Sequence, residues 1–125
     1  MTENEISKLF LDIAFRVHKT LGPGLFESVY ENIICYELEK EKIPFESQKI
    51  LPILYDGKKF DNAFRVDIVI YNKVIIELKS VEKLLDLHKK QLLTYLKLSG
   101  LRLGILVNFN EKLLRNGIIR IVNKL

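Results

Sequence analysis

The chain has 125 residues, within the roughly 100–150 that a single domain most often spans, and 48% of them are hydrophobic against 29% charged. Its net charge of +4, from 20 basic and 16 acidic side chains, permits a polyanionic partner without demanding one. Such a composition excludes disorder and collagen-like repeats, the single cysteine excludes a disulfide framework, and no apolar run nears the ~20 residues of a membrane helix.

Thr2-Glu-Asn-Glu5 fits a capping box, and Ile6, Leu9, Phe10, Ile13, Val17 and Leu21 follow at helical spacing until Gly22-Pro23-Gly24 breaks the helix. This acidic start has neither the basic residues nor the apolar middle of a signal peptide, so the expectation is cytoplasmic, with no membrane. A second helix is predicted from about Leu25 to Lys42, ended by Pro44, and Cys35 within it reads as a packing residue. The period then changes. Phe45 to Tyr55 reads as a strand interrupted at Pro52, Asp56-Gly57 as a hairpin turn, Lys59 to Tyr71 as the returning strand, and Asn72-Lys73 as a second turn into Val74–Ser80. A helix from about Leu84 to Leu98 stops at Gly100, and strands Leu101–Phe109 and Gly117–Asn123 close the chain. With no linker, low-complexity tract or repeat, residues 1–125 read as one domain of order ααβββαββ. Its first three strands should form an antiparallel meander, and the step from the third to the fourth a right-handed βαβ crossover. The result is an α/β sandwich, a central mixed β-sheet flanked by helices.

Three charges do not belong in such a sheet. Strands Val66–Ile70 and Val74–Lys79 are apolar on both faces except where Asp67, Glu77 and Lys79 interrupt, so they read as central strands. The turn at Asn72-Lys73 sets Asp67 opposite Glu77, and Lys79 shares their face. Two carboxylates about 5 Å apart repel by about 3 kcal/mol at an effective dielectric near 20. Lys79 offsets part of this repulsion, and a divalent cation would offset more. Two carboxylates plus water suit Mg²⁺ or Mn²⁺. An exposed Asp–Lys–Glu salt-bridge network explains the same three residues and, on them alone, stands slightly ahead, because Glu-x-Lys is common on solvated strands.

Asp67, nine intervening residues, then Glu77-Leu78-Lys79 across a hairpin resembles the PD-(D/E)xK nuclease superfamily, with Val66 at the degenerate proline position. Gly24-Leu-Phe-Glu27-Ser-Val-Tyr30 resembles the signature of the GxxExxY family within it. Val17–Gly24, the segment Gln91-Leu-Leu-Thr-Tyr95 and Leu103–Phe109 belong to the same resemblance, which covers nearly the whole chain. It implies a restriction-endonuclease-like fold and a Mg²⁺- or Mn²⁺-dependent nuclease hydrolysing DNA phosphodiester bonds. Carried over, Asp67 and Glu77 hold the metal with the Leu78 carbonyl, and Lys79 orients or deprotonates the attacking water. Glu27 is the helical acid supporting the metal, and Gln91 and Tyr95, one turn apart, flank the site.

His18 and His88 stand apart and at no zinc spacing, and His18 reads as a partly buried structural residue. Tyr30 and Tyr95 read as packing residues with bonded hydroxyls. Lys83, Lys89, Lys90, Lys97, Arg102, Lys112, Arg115, Arg120 and Lys124 are candidates for a phosphate-binding surface. So small a domain has little surface for recognition, which leaves room for a homodimer or a partner protein. Two rivals share the sequence: a nucleic-acid-binding module of the same fold without turnover, and a protein-interaction domain whose charge cluster is structural.

Overall fold

Thr2 starts the first helix by accepting the Glu5 N–H at 3.2 Å, while the Glu5 carboxylate accepts the Thr2 N–H at 2.9 Å. From there the elements run α1 (Glu3–Leu21), α2 (Glu27–Lys40), β1 (Phe45–Tyr55), β2 (Lys58–Ile70), β3 (Val74–Lys79), α3 (Asp86–Ser99), β4 (Leu103–Asn108) and β5 (Ile118–Val122). This computed structural model describes residues 1–125, apart from the side chain of Ala63. The order is the expected one, with a 3₁₀ turn at Leu114–Gly117 as an addition.

The strands form one five-stranded sheet in the order β1-β2-β3-β4-β5. The first three are antiparallel, β3 and β4 run parallel from Val74–Leu103 to Lys79–Asn108, and β5 returns antiparallel. Every β3 residue before Lys79 and every β4 residue is buried, which is why both read as apolar on two faces. On one side Ile68, Ile70, Ile76, Leu78 and Ile105 pack with Phe10, Ile13, Tyr30 and Ile34 of α1 and α2. On the other, Val69, Ile75 and Leu106 pack with Leu92 and Leu96 of α3.

Gly104 lets α3 come close. A Cβ there would meet Leu92 side-chain atoms at 2.8–3.0 Å.

Boundaries moved where local hydrogen bonds close the chain. The second helix begins at Glu27 rather than Leu25, because the Leu25 N–H donates to the Tyr30 hydroxyl at 3.2 Å and is spent outside the helix. It ends at Lys40 rather than Lys42, since Lys42 turns left-handed (φ 58°) and the Ile43 N–H closes back onto the Leu38 carbonyl at 2.9 Å. The second hairpin turn sits one residue earlier than the sequence suggested. Tyr71 and Asn72 hold the positive φ values, 53° and 55°, and the Lys73 N–H bonds the Ile70 carbonyl at 3.0 Å. Pro52, which has no N–H to give the ladder, sits at a register shift between Leu51 and Ile53.

Candidate functional site

The β2–β3 ladder pairs Ile70 with Val74, Val69 with Ile75 and Ile68 with Ile76, then stops one step before Asp67 and Glu77. At that step the Asp67 side chain replaces the ladder: its Oδ2 accepts the Leu78 N–H at 2.8 Å. The face alternation breaks here too. Val66 packs in the α3-side cluster and Ile68 in the opposite one, although residues two apart in a regular strand share a face. Asp67 therefore lies where β2 changes sides, with its carboxylate turned along the sheet toward β3. Glu77 follows Ile75 on the α3 side and is 9% exposed; Lys79, two residues on, is half-buried.

Burial, then the Asp67 charge, then a hydrogen bond between the two side chains push the Glu77 carboxyl up to about 9; Lys79 and the Asp67 backbone pull the other way. The acid pair thus holds a proton at neutral pH. Among the described residues, none of the ion pairs within 4.0 Å involves Asp67, Glu77 or Lys79. The salt-bridge network that competed in the sequence is not formed.

Helix α3 brings Tyr95 to this face. Its ring stacks on Phe64 at 4.3 Å between centroids. Burial, then the charges of Glu77 and Asp67, raise its hydroxyl pKa, while a hydrogen bond with Gln91 lowers it. Gln91, one turn before Tyr95 on α3, is exposed.

On the other side of Asp67 opens a cleft of about 550 Å³ lined by Phe26, Glu27, Ser28, Glu31, Gln48 and Asp67. Glu27 lies on its exposed wall, in the first turn of α2. The acid joined to Asp67 is Glu31, one turn further on, which sequence reasoning missed. Gln48 Nε2 donates to Glu31 Oε1 at 2.8 Å and to Asp67 Oδ1 at 3.4 Å. Burial, then Asp67, raise the Glu31 carboxyl pKa, with the Gln48 bond acting against them. The i, i+4 spacing from Glu27 is the signal that could have found it.

Asn108 was also missed. Fully buried beside Lys79, it accepts the Val81 N–H at 3.1 Å and donates to the Val81 carbonyl at 2.9 Å, pinning the chain that leaves β3.

The other candidates are structural. His18 is 8% exposed and its Nε2 meets the Glu111 carbonyl at 2.8 Å. Tyr30 is buried, stacks on Phe109 at 4.5 Å and donates to the Gly22 carbonyl at 2.6 Å. His88 Nδ1 accepts the Leu85 N–H at 3.0 Å at the start of α3. Burial, then Glu31 and Glu39, push the half-buried Cys35 thiol up to about 11, away from reactivity. The basic residues do not form one surface beside the acids. Arg102 donates to the Lys124 carbonyl at 3.2 and 3.0 Å and lines a hollow with Lys97 at the opposite end of β4, whereas Lys112 and Arg115 line another with His18.

The sequence matches the family described as the PD-(D/E)XK nuclease superfamily over residues 4–121. The chain belongs to that superfamily. No curated protein and no solved structure matches it. PD-(D/E)XK nucleases typically use divalent metals, and the donors here fit one. Asp67 and Glu77 are hard oxygen ligands and, among the described residues, no cationic side chain lies within 4.0 Å to neutralise them. Among the described residues, no three His, Cys, Asp or Glu side chains gather closely enough to hold an ion by themselves. Among the described residues, no helix is long and apolar enough to cross a membrane.

Proposed function

We propose that this PD-(D/E)XK protein is a Mg²⁺- or Mn²⁺-dependent nuclease that hydrolyses DNA phosphodiester bonds, with residues 1–125 acting as one unit. The observation that carries the reading is the Asp67–Glu77 pair: two acids at the opening of a hairpin, one of them buried and, among the described residues, neither in an ion pair within 4.0 Å. Asp67, Glu77 and the Leu78 carbonyl would hold the ion, with Glu27 and Glu31 on the cleft wall able to bind its waters. The ion supplies charge stabilisation on the phosphoryl oxygens and a water of lowered pKa. Lys79 lies on the Glu77 side of the sheet, where its ammonium orients the attacking water and offsets charge on phosphorus. Gln91 and Tyr95 fix that side of the site, the tyrosine ring being held against Phe64. Phe26, 80% exposed on the wall of the cleft, offers an apolar surface to a nucleotide entering beside Asp67. The segment Gly24–Tyr30 that supplies it supports placing the chain among the GxxExxY proteins.

The test is cleavage of linear and closed-circular DNA in Mg²⁺, Mn²⁺, Ca²⁺ and chelator. Cleavage is expected in Mg²⁺ and Mn²⁺ and little in Ca²⁺. Glu77→Gln and Lys79→Ala should each lose about a hundredfold or more in rate. Efficient cleavage in chelator overturns the metal-dependent reading. Tight binding with no turnover under any of these conditions assigns the fold to binding alone.

A further inference from the structure

Gln48 has a φ of +50° in the middle of β1. Other non-glycine residues with positive φ stand where the chain turns, ends or slips register. Lys42 follows α2, Asp56 and the Tyr71–Asn72 pair make hairpin turns, and Lys124 is next to last; Asn62 falls between the pairs Leu51–Phe64 and Ile53–Phe60, whose registers differ. No such change surrounds Gln48. Ser47 pairs with Ile68 and Lys49 with Val66, the same register on either side, and Gln48 stands between them opposite Asp67. A non-glycine residue with a left-handed backbone is uncommon, and this one stands opposite the step where β2 changes sides, with its side chain bonded across that step.

The side-chain amide bridges two acids from different layers of the fold. It donates to Glu31 of α2 at 2.8 Å and to Asp67 of β2 at 3.4 Å, while the other Asp67 oxygen takes the Leu78 N–H at 2.8 Å. Each Asp67 oxygen therefore has a donor, one from a strand backbone and one from the kinked strand beside it. We infer that Gln48 is a positioning residue: its amide fixes the Asp67 carboxylate and links Glu31 to it, and the strained β1 backbone aims that amide. The inference rests on the metal-site reading and adds to it a residue that does not itself ligate the ion.

The test separates aiming from scaffolding by giving them opposite signs. Asparagine and glycine accept a left-handed backbone better than glutamine does, but neither reaches both acids. In Gln48→Asn and Gln48→Gly, the Tm in chelator should stay level or rise. Calorimetric Mn²⁺ affinity should fall about 10- to 100-fold, the usual cost of losing a group that orients a metal ligand. The kcat for DNA cleavage should fall with it and KM should change little. A Tm that drops in both variants makes Gln48 a structural residue and overturns the inference. So does unchanged Mn²⁺ affinity in both while the wild type binds Mn²⁺ and cleaves, an outcome that leaves the nuclease reading standing. If the wild type binds no Mn²⁺ at all, the metal-site reading fails and this inference with it.

Discussion

A carboxylic acid that is 9% exposed beside a second acid keeps its proton unless a cation takes the proton's place. Glu77 is that acid, raised from the ordinary 4.5 to about 9, chiefly by burial and then by Asp67. The folded state therefore binds a proton that the unfolded state has lost. Its contribution to stability is full below about pH 4.5 and is lost as the pH rises through 9. In chelator, the wild-type Tm should fall between these limits more steeply than that of Glu77→Gln, whose neutral amide has nothing to titrate. Glu5 and Glu37, held low by Thr2 and by Lys40 and Arg16 respectively, change with pH in both proteins and cancel in the comparison. The same chemistry predicts that Mn²⁺ binding at neutral pH releases about one proton. Calorimetry in two buffers of different ionisation enthalpy measures it. Parallel Tm curves and no proton release would mean that Glu77 is ionised without metal and that the acid pair holds no proton for an ion to displace.

At the scale of elements, apolar spacing made every helix and strand legible, together with the antiparallel meander and the parallel β3–β4 step. What it missed were features set by bonds between elements. The start of α2 moved because a tyrosine hydroxyl in the helix captures a loop N–H, and the β2 face switched at Asp67 because that side chain replaces a ladder bond. Glu77 and Lys79 were legible because charge in a central strand is anomalous. Glu31 and Gln48 were not, since an acid on a helix and a glutamine on an edge strand are ordinary in sequence. Only the kink at residue 48 and the bonds across it single them out. Gly104 belongs to the same class. It has an ordinary φ, yet α3 packs so closely that a Cβ would lie 2.8 Å from the side chain of Leu92, itself 1% exposed. Gly104→Ala should cost about 1–3 kcal/mol by overpacking, read from denaturant unfolding. It should also lower cleavage, because the helix it displaces carries Gln91 and Tyr95. An unchanged midpoint would show that α3 can shift freely.

For the molecule as a whole, the question is where an excess of four positive charges is left free to meet phosphate. Five of the 20 basic side chains are engaged in ion pairs: Arg16 and Lys40 pair with Glu37, Lys49 with Glu46, Lys59 with Asp61 and Lys89 with Asp86. Arg102 is tied to a backbone carbonyl at the end of β4 away from Lys79. Lys79 ends β3, Lys83 and Lys90 lie between it and the first turns of α3, and Lys112 and Arg115 follow β4 in a separate hollow with His18 at the same end of the sheet; none of the five takes part in these ion pairs. If DNA is bound there through about five such contacts, log affinity should fall with log salt at a slope near −4 to −5. Lys112→Ala and Arg115→Ala should each reduce that slope by about one, across all sequences tested. Arg102→Ala should leave it unchanged. Fluorescence anisotropy of a labelled oligonucleotide in Ca²⁺, titrated from low to physiological salt, gives all four slopes. A flat wild-type response would count against a nucleic-acid partner, and an effect confined to Arg102→Ala would place the binding surface at the far end of the sheet.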